Sequence, residues 1–135
     1  MEGVKTFFRN DRFAEYVGIE LLEFSAGKAK ARLKVQDKHL NAVNIVHGGA
    51  IYSLADLAFA VASNSHGTVA VAINGNISHL KAVTGGTLIA EAQEVGLNPK
   101  LATYEVKITD ESGDTVALFQ GTVYRKQEKV TENLS

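Results

Sequence analysis

Gly48-Gly-Ala-Ile-Tyr-Ser-Leu-Ala-Asp56-Leu-Ala-Phe-Ala-Val-Ala-Ser63 is the stretch that decides how this chain is read. Ile51, Leu54, Ala55, Ala58, Phe59 and Ala62 fall at i, i+3, i+4, i+7, i+8 and i+11, which is helical spacing. Ala50, Leu57, Ala60 and Val61 fill much of the other side. A helix that is apolar nearly all round is expected to be enclosed. Asp56 is its one charge, and a carboxylate in a buried helix interior is costly unless paired or used.

The flanking sequence changes period. Val4, Phe7, Phe8, Phe13, Tyr16 and Val17 are spaced for helix, so residues 1–17 form a helical segment stopped by Gly18. Asn10 or Asp11 is placed to cap a second short turn. From residue 19 the period is two, and Ala29, Ala31, Leu33 and Val35 alternate with Lys28, Lys30, Arg32 and Lys34 in a strand with one wet face. Strand character returns over 69–81, 87–95, 100–109 and 115–126. Thr84-Gly85-Gly86, Gly96-Leu-Asn-Pro99 and Asp110-Glu-Ser-Gly113-Asp114 supply the turns, which favours an antiparallel meander. Residues 127–135 read as a polar tail expected to fray. The fold class is α+β, with a curled antiparallel sheet around one long central helix. The alternative is an open two-layer sandwich whose helix is covered on its second side by another subunit.

Composition narrows the function. A chain of 135 residues reads as a single domain, 1–135. With no cysteine there is no disulfide framework and no thiolate metal site, which fits a reducing cytoplasm. Fourteen basic and fifteen acidic residues nearly cancel, so nucleic acid and anionic membrane are not expected partners. The N-terminus carries no readable signal peptide, and the longest apolar run is too short to span a bilayer. His39, His47, His66 and His79 lack metal-ligand spacing on any one element, and no nucleophile elbow, phosphate loop or dinucleotide fingerprint is present.

Three features remain. His47-Gly48-Gly49 opens the helix, where free N–H groups and the positive dipole end can polarise a carbonyl. The same glycines also suit a tight strand-to-helix turn. Asp56 lies too deep to cap the helix, so it is either paired with a cation, led to solvent through a gap, or a base or nucleophile. Asn41 can hold a carbonyl or bond its own loop. Gly48 and Asp56 are eight residues apart, about 12 Å along a helix, whereas reacting atoms must approach within about 3–3.5 Å. One chain's Gly48 and its own Asp56 cannot easily serve one centre. Two antiparallel copies of the helix could, with Gly48 of one facing Asp56 of the other.

The run from Asn41 to Ser65, with His47-Gly48-Gly49 and Leu54-Ala-Asp56-Leu-Ala-Phe-Ala60, closely resembles the phenylacetate-degradation (PaaI-like) branch of the hotdog-fold acyl-CoA thioesterases. The likeness extends over nearly the whole chain, including Ala70-Val-Ala72 and Thr115-Val-Ala-Leu-Phe-Gln-Gly121. It implies a hotdog fold, a homodimer joined sheet edge to sheet edge, and dimers paired into homotetramers. It implies hydrolysis of an acyl-CoA thioester, with aryl-acetyl-CoA as the acyl class, and no cofactor beyond the coenzyme A of the substrate. Gly48 would polarise the carbonyl with help from Asn41, Asp56 of the partner would activate water or attack, and His47 would shape the site. Gly49 would join the substrate contacts. Two departures stand out. The strand after the helix reads Ala72-Ile-Asn74-Gly-Asn76 where relatives often place a Ser or Thr, so Asn74 is the candidate substitute. It ends Ser78-His-Leu-Lys81-Ala82 where relatives often have an aromatic, Leu, Arg and Pro. Lys81 and Lys100 are the candidates for the phosphates of CoA, as point charges rather than forks. Two other functions fit a hotdog domain: a hydratase or dehydratase centred on His47, and a non-catalytic acyl-CoA-binding module.

Overall fold

A computed structural model describes residues 2–130. Two short helices, α1 (Glu2–Arg9) and α2 (Arg12–Val17), precede a hairpin of β1 (Ile19–Ser25) and β2 (Lys28–Lys34). A 3-10 turn at Asp37–His39 leads into α3 (Gly48–Asn64), followed by β3 (Thr68–His79), β4 (Thr87–Leu97), β5 (Leu101–Thr109) and β6 (Thr115–Lys129). The six strands form one sheet of order β1-β2-β4-β5-β6-β3, antiparallel throughout.

Local chemistry sets the boundaries. Asp11 Oδ1 accepts the Ala14 N–H at 2.9 Å, which caps α2, and Gly18 closes it in the left-handed region at φ 94°. The period-two stretch from residue 19, expected as one strand, is two strands because Gly27 turns the chain at φ 74°. The expected fraying from residue 127 is also corrected. β6 continues to Lys129 opposite Thr68, and the Val130 N–H bonds the Gly67 carbonyl at 2.9 Å with its side chain buried. Residues 131–135 of that tail lie outside the described residues.

The core lies between α3 and the concave face of the sheet. Ala29, Ala31, Ala90 and Ala92 on β2 and β4 are all buried and directly paired as Ala29–Ala92 and Ala31–Ala90. Small residues there let Leu54, Ala58 and Val61 of the helix sit close to the strands. Phe59 fills the far side with its ring centroid 5.9 Å from Tyr104 and 5.2 Å from Phe119. Past the helix C-terminus, Glu94 accepts the Tyr104 hydroxyl and bonds His66 Nε2, each at 2.7 Å. Burial works against the Glu94 charge, but these two bonds outweigh it and hold the carboxyl below its usual range.

The helix is less enclosed than its composition predicts. Tyr52 and Asp56 are exposed and Ser53 and Ala60 half-buried, a stripe at i, i+1, i+4 and i+8. The neighbouring edge strand, β3, is also bare: Val71 through Asn76 are exposed, and Ile73 keeps 59% of its surface in solvent. The described residues of one chain thus cover the helix on one side only.

Candidate active site

The open stripe begins at the helix N-terminus. His47 is the N-cap, and its Nδ1 accepts the Gly49 N–H at 2.8 Å. Its carbonyl accepts from Ala50 at 2.9 Å and Ile51 at 3.3 Å. Of the first N–H groups, only that of Gly48 donates to nothing among the described residues. Gly49 is therefore corrected as a substrate-binding amide, because the cap already uses its donor. His47 emerges as the group that fixes the helix start, with Nδ1 held as acceptor.

Asp56 stands two turns further along the stripe. Among the described residues neither a salt bridge nor a hydrogen bond engages its carboxylate, so the cation pair weighed from sequence is not found there. The residue as a whole is exposed, yet enough protein surrounds its carboxyl that desolvation, and secondarily the charge of Asp11, raise its pKa above 3.8. Gly48 and Asp56 are separated by about 12 Å of helix rise, so within one chain they do not meet.

Asn41 is partly committed. Its Oδ1 accepts the N–H groups of Val43 at 3.0 Å and Ile45 at 3.3 Å, a loop-bonding arrangement. That fixes the amide and leaves its Nδ2 protons as the groups able to meet a ligand.

Three of the expected substrate contacts change. Asn74 belongs to the wrong face. Asn76 and Ser78 line the outer groove with Glu91, Gln93 and Lys107, and alternation puts Asn74 with them. Gly75 is the helix-facing position, where a methyl group would stand 2.5 Å from the Tyr52 hydroxyl. Lys81 is closed in a clamp, with Nζ 2.5 Å from Asp110 Oδ2 and 2.8 Å from Asp114 Oδ2, so a phosphate would have to displace two carboxylates. Lys100 has no such clamp among the described residues but lies in the β4–β5 turn, where its carbonyl accepts the N–H of Arg125, the residue paired with Ala70 at the far end of β3. Within its own chain it is remote from Gly48.

One residue that sequence reasoning passed over does reach the site. His79 ends β3 on the helix-facing side, and a methyl group at Gly48 would stand 3.3 Å from its Nε2 and 3.4 Å from its Cε1. Of the other histidines, His39 is buried and spent, with Nδ1 accepting the Gln36 N–H at 2.9 Å and Nε2 donating to the Val17 carbonyl at 2.6 Å. Among the described residues no three His, Cys, Asp or Glu side chains are grouped to hold a metal ion, and no helix is long and apolar enough to cross a membrane.

The family model described as the Thioesterase superfamily matches residues 43–117, more than half of the chain. The chain belongs to the Thioesterase superfamily. Within it, the acyl-coenzyme A thioesterase PaaI of Escherichia coli is 35% identical over 125 residues, 92% of this chain and 89% of that one. The E. coli PaaI structure superposes with a TM-score of 0.91 over 95% of this chain and 94% of that one. A chain from Archaeoglobus fulgidus is 47% identical over 130 residues, 95% of this chain and 84% of its own. A Streptococcus mutans protein solved with acetyl CoA bound is 26% identical, with a TM-score of 0.79 over 83% of this chain and 91% of that one. The architecture is thus the hotdog fold of PaaI-like thioesterases, and the enzyme is a thioester hydrolase.

Proposed function

We propose that this thioesterase hydrolyses acyl-CoA thioesters at two equivalent sites formed between paired chains. The observation that carries the reading is the bare stripe on α3, with the unused Gly48 N–H at one end and the unpaired Asp56 near its middle. Two such helices side by side and antiparallel bring Gly48 of each to Asp56 of the other. The exposed edge of β3 supports the same pairing, because a second copy would satisfy its backbone groups.

In this arrangement the Gly48 N–H, at the positive end of the helix, polarises the thioester carbonyl. Asp56 of the opposite chain takes a proton from water as it attacks, or attacks directly to give a mixed anhydride. Either route expels CoA as thiolate and ends in a free acid. The Asn41 Nδ2 protons serve as a supporting contact, and His47 holds the helix start in place. Lys100 is the basic candidate for a CoA phosphate, reaching it from the partner. Aryl-acetyl groups are the acyl class favoured by the PaaI likeness, the homotetramer is the expected assembly, and the cytoplasm the expected compartment.

The test is free-thiol release from a panel of acyl-CoAs. Asp56→Asn is expected to lose at least about a hundredfold in kcat, the lower range for a removed base. Full activity in that variant would refute the mechanism, and tight binding without turnover in the unaltered chain would favour a binding module.

A further inference from the structure

The active-site reading leaves one imidazole unexplained. His79 is the last residue of β3, and the pleat aims Gly75, Ile77 and His79 at the helix side of the sheet. Its ring presents the Nε2–Cε1 edge, not its apolar back, toward Gly48. No hydrogen bond or ion pair engages either ring nitrogen among the described residues, whereas both nitrogens of His39 and the Nε2 of His66 are bonded to neighbouring groups and His47 Nδ1 is taken by the cap. The two groups without partners at this end of the molecule, the Gly48 N–H and His79 Nε2, are therefore side by side.

Resting on the thioesterase reading above, we infer that His79 is a second oxyanion donor: its Nε2–H and the Gly48 N–H converge on the thioester carbonyl oxygen. As the nucleophile adds to the carbonyl carbon, the C=O π pair moves onto oxygen and both donors shorten onto that charge. When the tetrahedral species collapses, the C=O re-forms and the C–S bond breaks, with its pair leaving on the CoA sulfur. The imidazole proton stays on Nε2 throughout, so His79 exchanges no proton. A lone backbone amide is a sparse oxyanion hole, since two or more donors is the common arrangement, and Asn41 has only part of its amide to offer.

The experiment compares three substitutions at His79, assayed on the best acyl-CoA substrate beside Asp56→Asn. His79→Ala is expected to lower kcat about 10- to 100-fold with KM nearly unchanged, because the donor acts on charge that develops only in the transition state. His79→Gln, which keeps an N–H donor, should recover part of that loss. His79→Phe, which fills the space without donating, should remain as slow as alanine. Affinity for a non-hydrolysable thioether analogue of the substrate should be equal in all three, which also reports that each variant is folded. Wild-type kcat in His79→Phe, or in His79→Ala, would overturn the donor role. If Asp56→Asn falls while His79→Ala does not, only the His79 role is lost; if the unaltered chain releases no CoA, the thioesterase reading fails and this inference with it.

Discussion

Asp56 is the residue at which stability and chemistry pull in opposite directions. Desolvation raises its pKa above 3.8, so the folded chain binds this proton at higher pH than the unfolded chain does. Its contribution to stability therefore falls as pH rises from 3.8 through the raised value. Above that window the ionised carboxylate opposes folding, and below it the group is neutral in both states. Asp56→Asn is accordingly expected to raise Tm by roughly 2–5 °C at pH 8, with the gain shrinking toward pH 4. Thermal scans across that range check it, and a variant equally less stable at both pH values would contradict it. The same shift predicts the kinetics. Asp56 works as base or nucleophile only when ionised, so the acid limb of kcat/KM should lie above the ordinary aspartate range. Asp56 was legible in the sequence because a charge inside an apolar 3.6 period has few explanations. His79 was not, because nothing between residues 48 and 79 tells a reader that the end of β3 returns to the start of α3.

At the scale of elements, the helix is seated by glycines on the strands as much as by its own side chains. Gly121 of β6 is buried, and a methyl group there would stand 2.7 Å from Phe59 Cζ and 2.8 Å from Phe119 Cε1. Both rings belong to the aromatic cluster under α3, so neither has free space to move into. Gly121→Ala is expected to destabilise the fold by about 1–3 kcal/mol, the range for overpacking a core, and equilibrium unfolding in urea measures it. An unchanged midpoint would show that the cluster is loosely packed. The main elements were readable from period alone: β2, α3 and the β4–β5–β6 meander are strongly patterned. The misread pieces depend on distant partners. Ser65 Oγ accepts the Gly27 N–H at 2.7 Å, so the β1–β2 turn is held by the end of α3, a contact invisible locally. Val130 looked like part of a polar tail, yet it bonds back to Gly67 across the sheet. Asn74 was misplaced for a subtler reason: register shifts between Ala72 and Asn74, and such an irregularity cannot be seen in alternation.

For the whole molecule, the proposed twofold pairing makes a claim that no single-chain account shares. Each site would take Gly48 from one chain and Asp56 from the other, so two different defects could complement. Gly48→Pro is the suitable second defect. Gly48 is the first helical residue, proline is favoured there, and His47 already has the extended backbone (ψ 134°) that a following proline requires. The substitution removes the N–H, and its Cβ would meet only the exposed His79 ring within 4 Å. Alone, Gly48→Pro and Asp56→Asn should each be nearly inactive. Co-expressed, half of the paired chains would be mixed, and each mixed pair would hold one intact site and one doubly defective site. Activity should then return to about one quarter of the unaltered enzyme, as statistical assortment into symmetric pairs dictates. A site contained within one chain would give no recovery at all, because every chain in the mixture carries a defect. Thiol release from the co-purified mixture, with subunit composition checked by intact mass, decides between them.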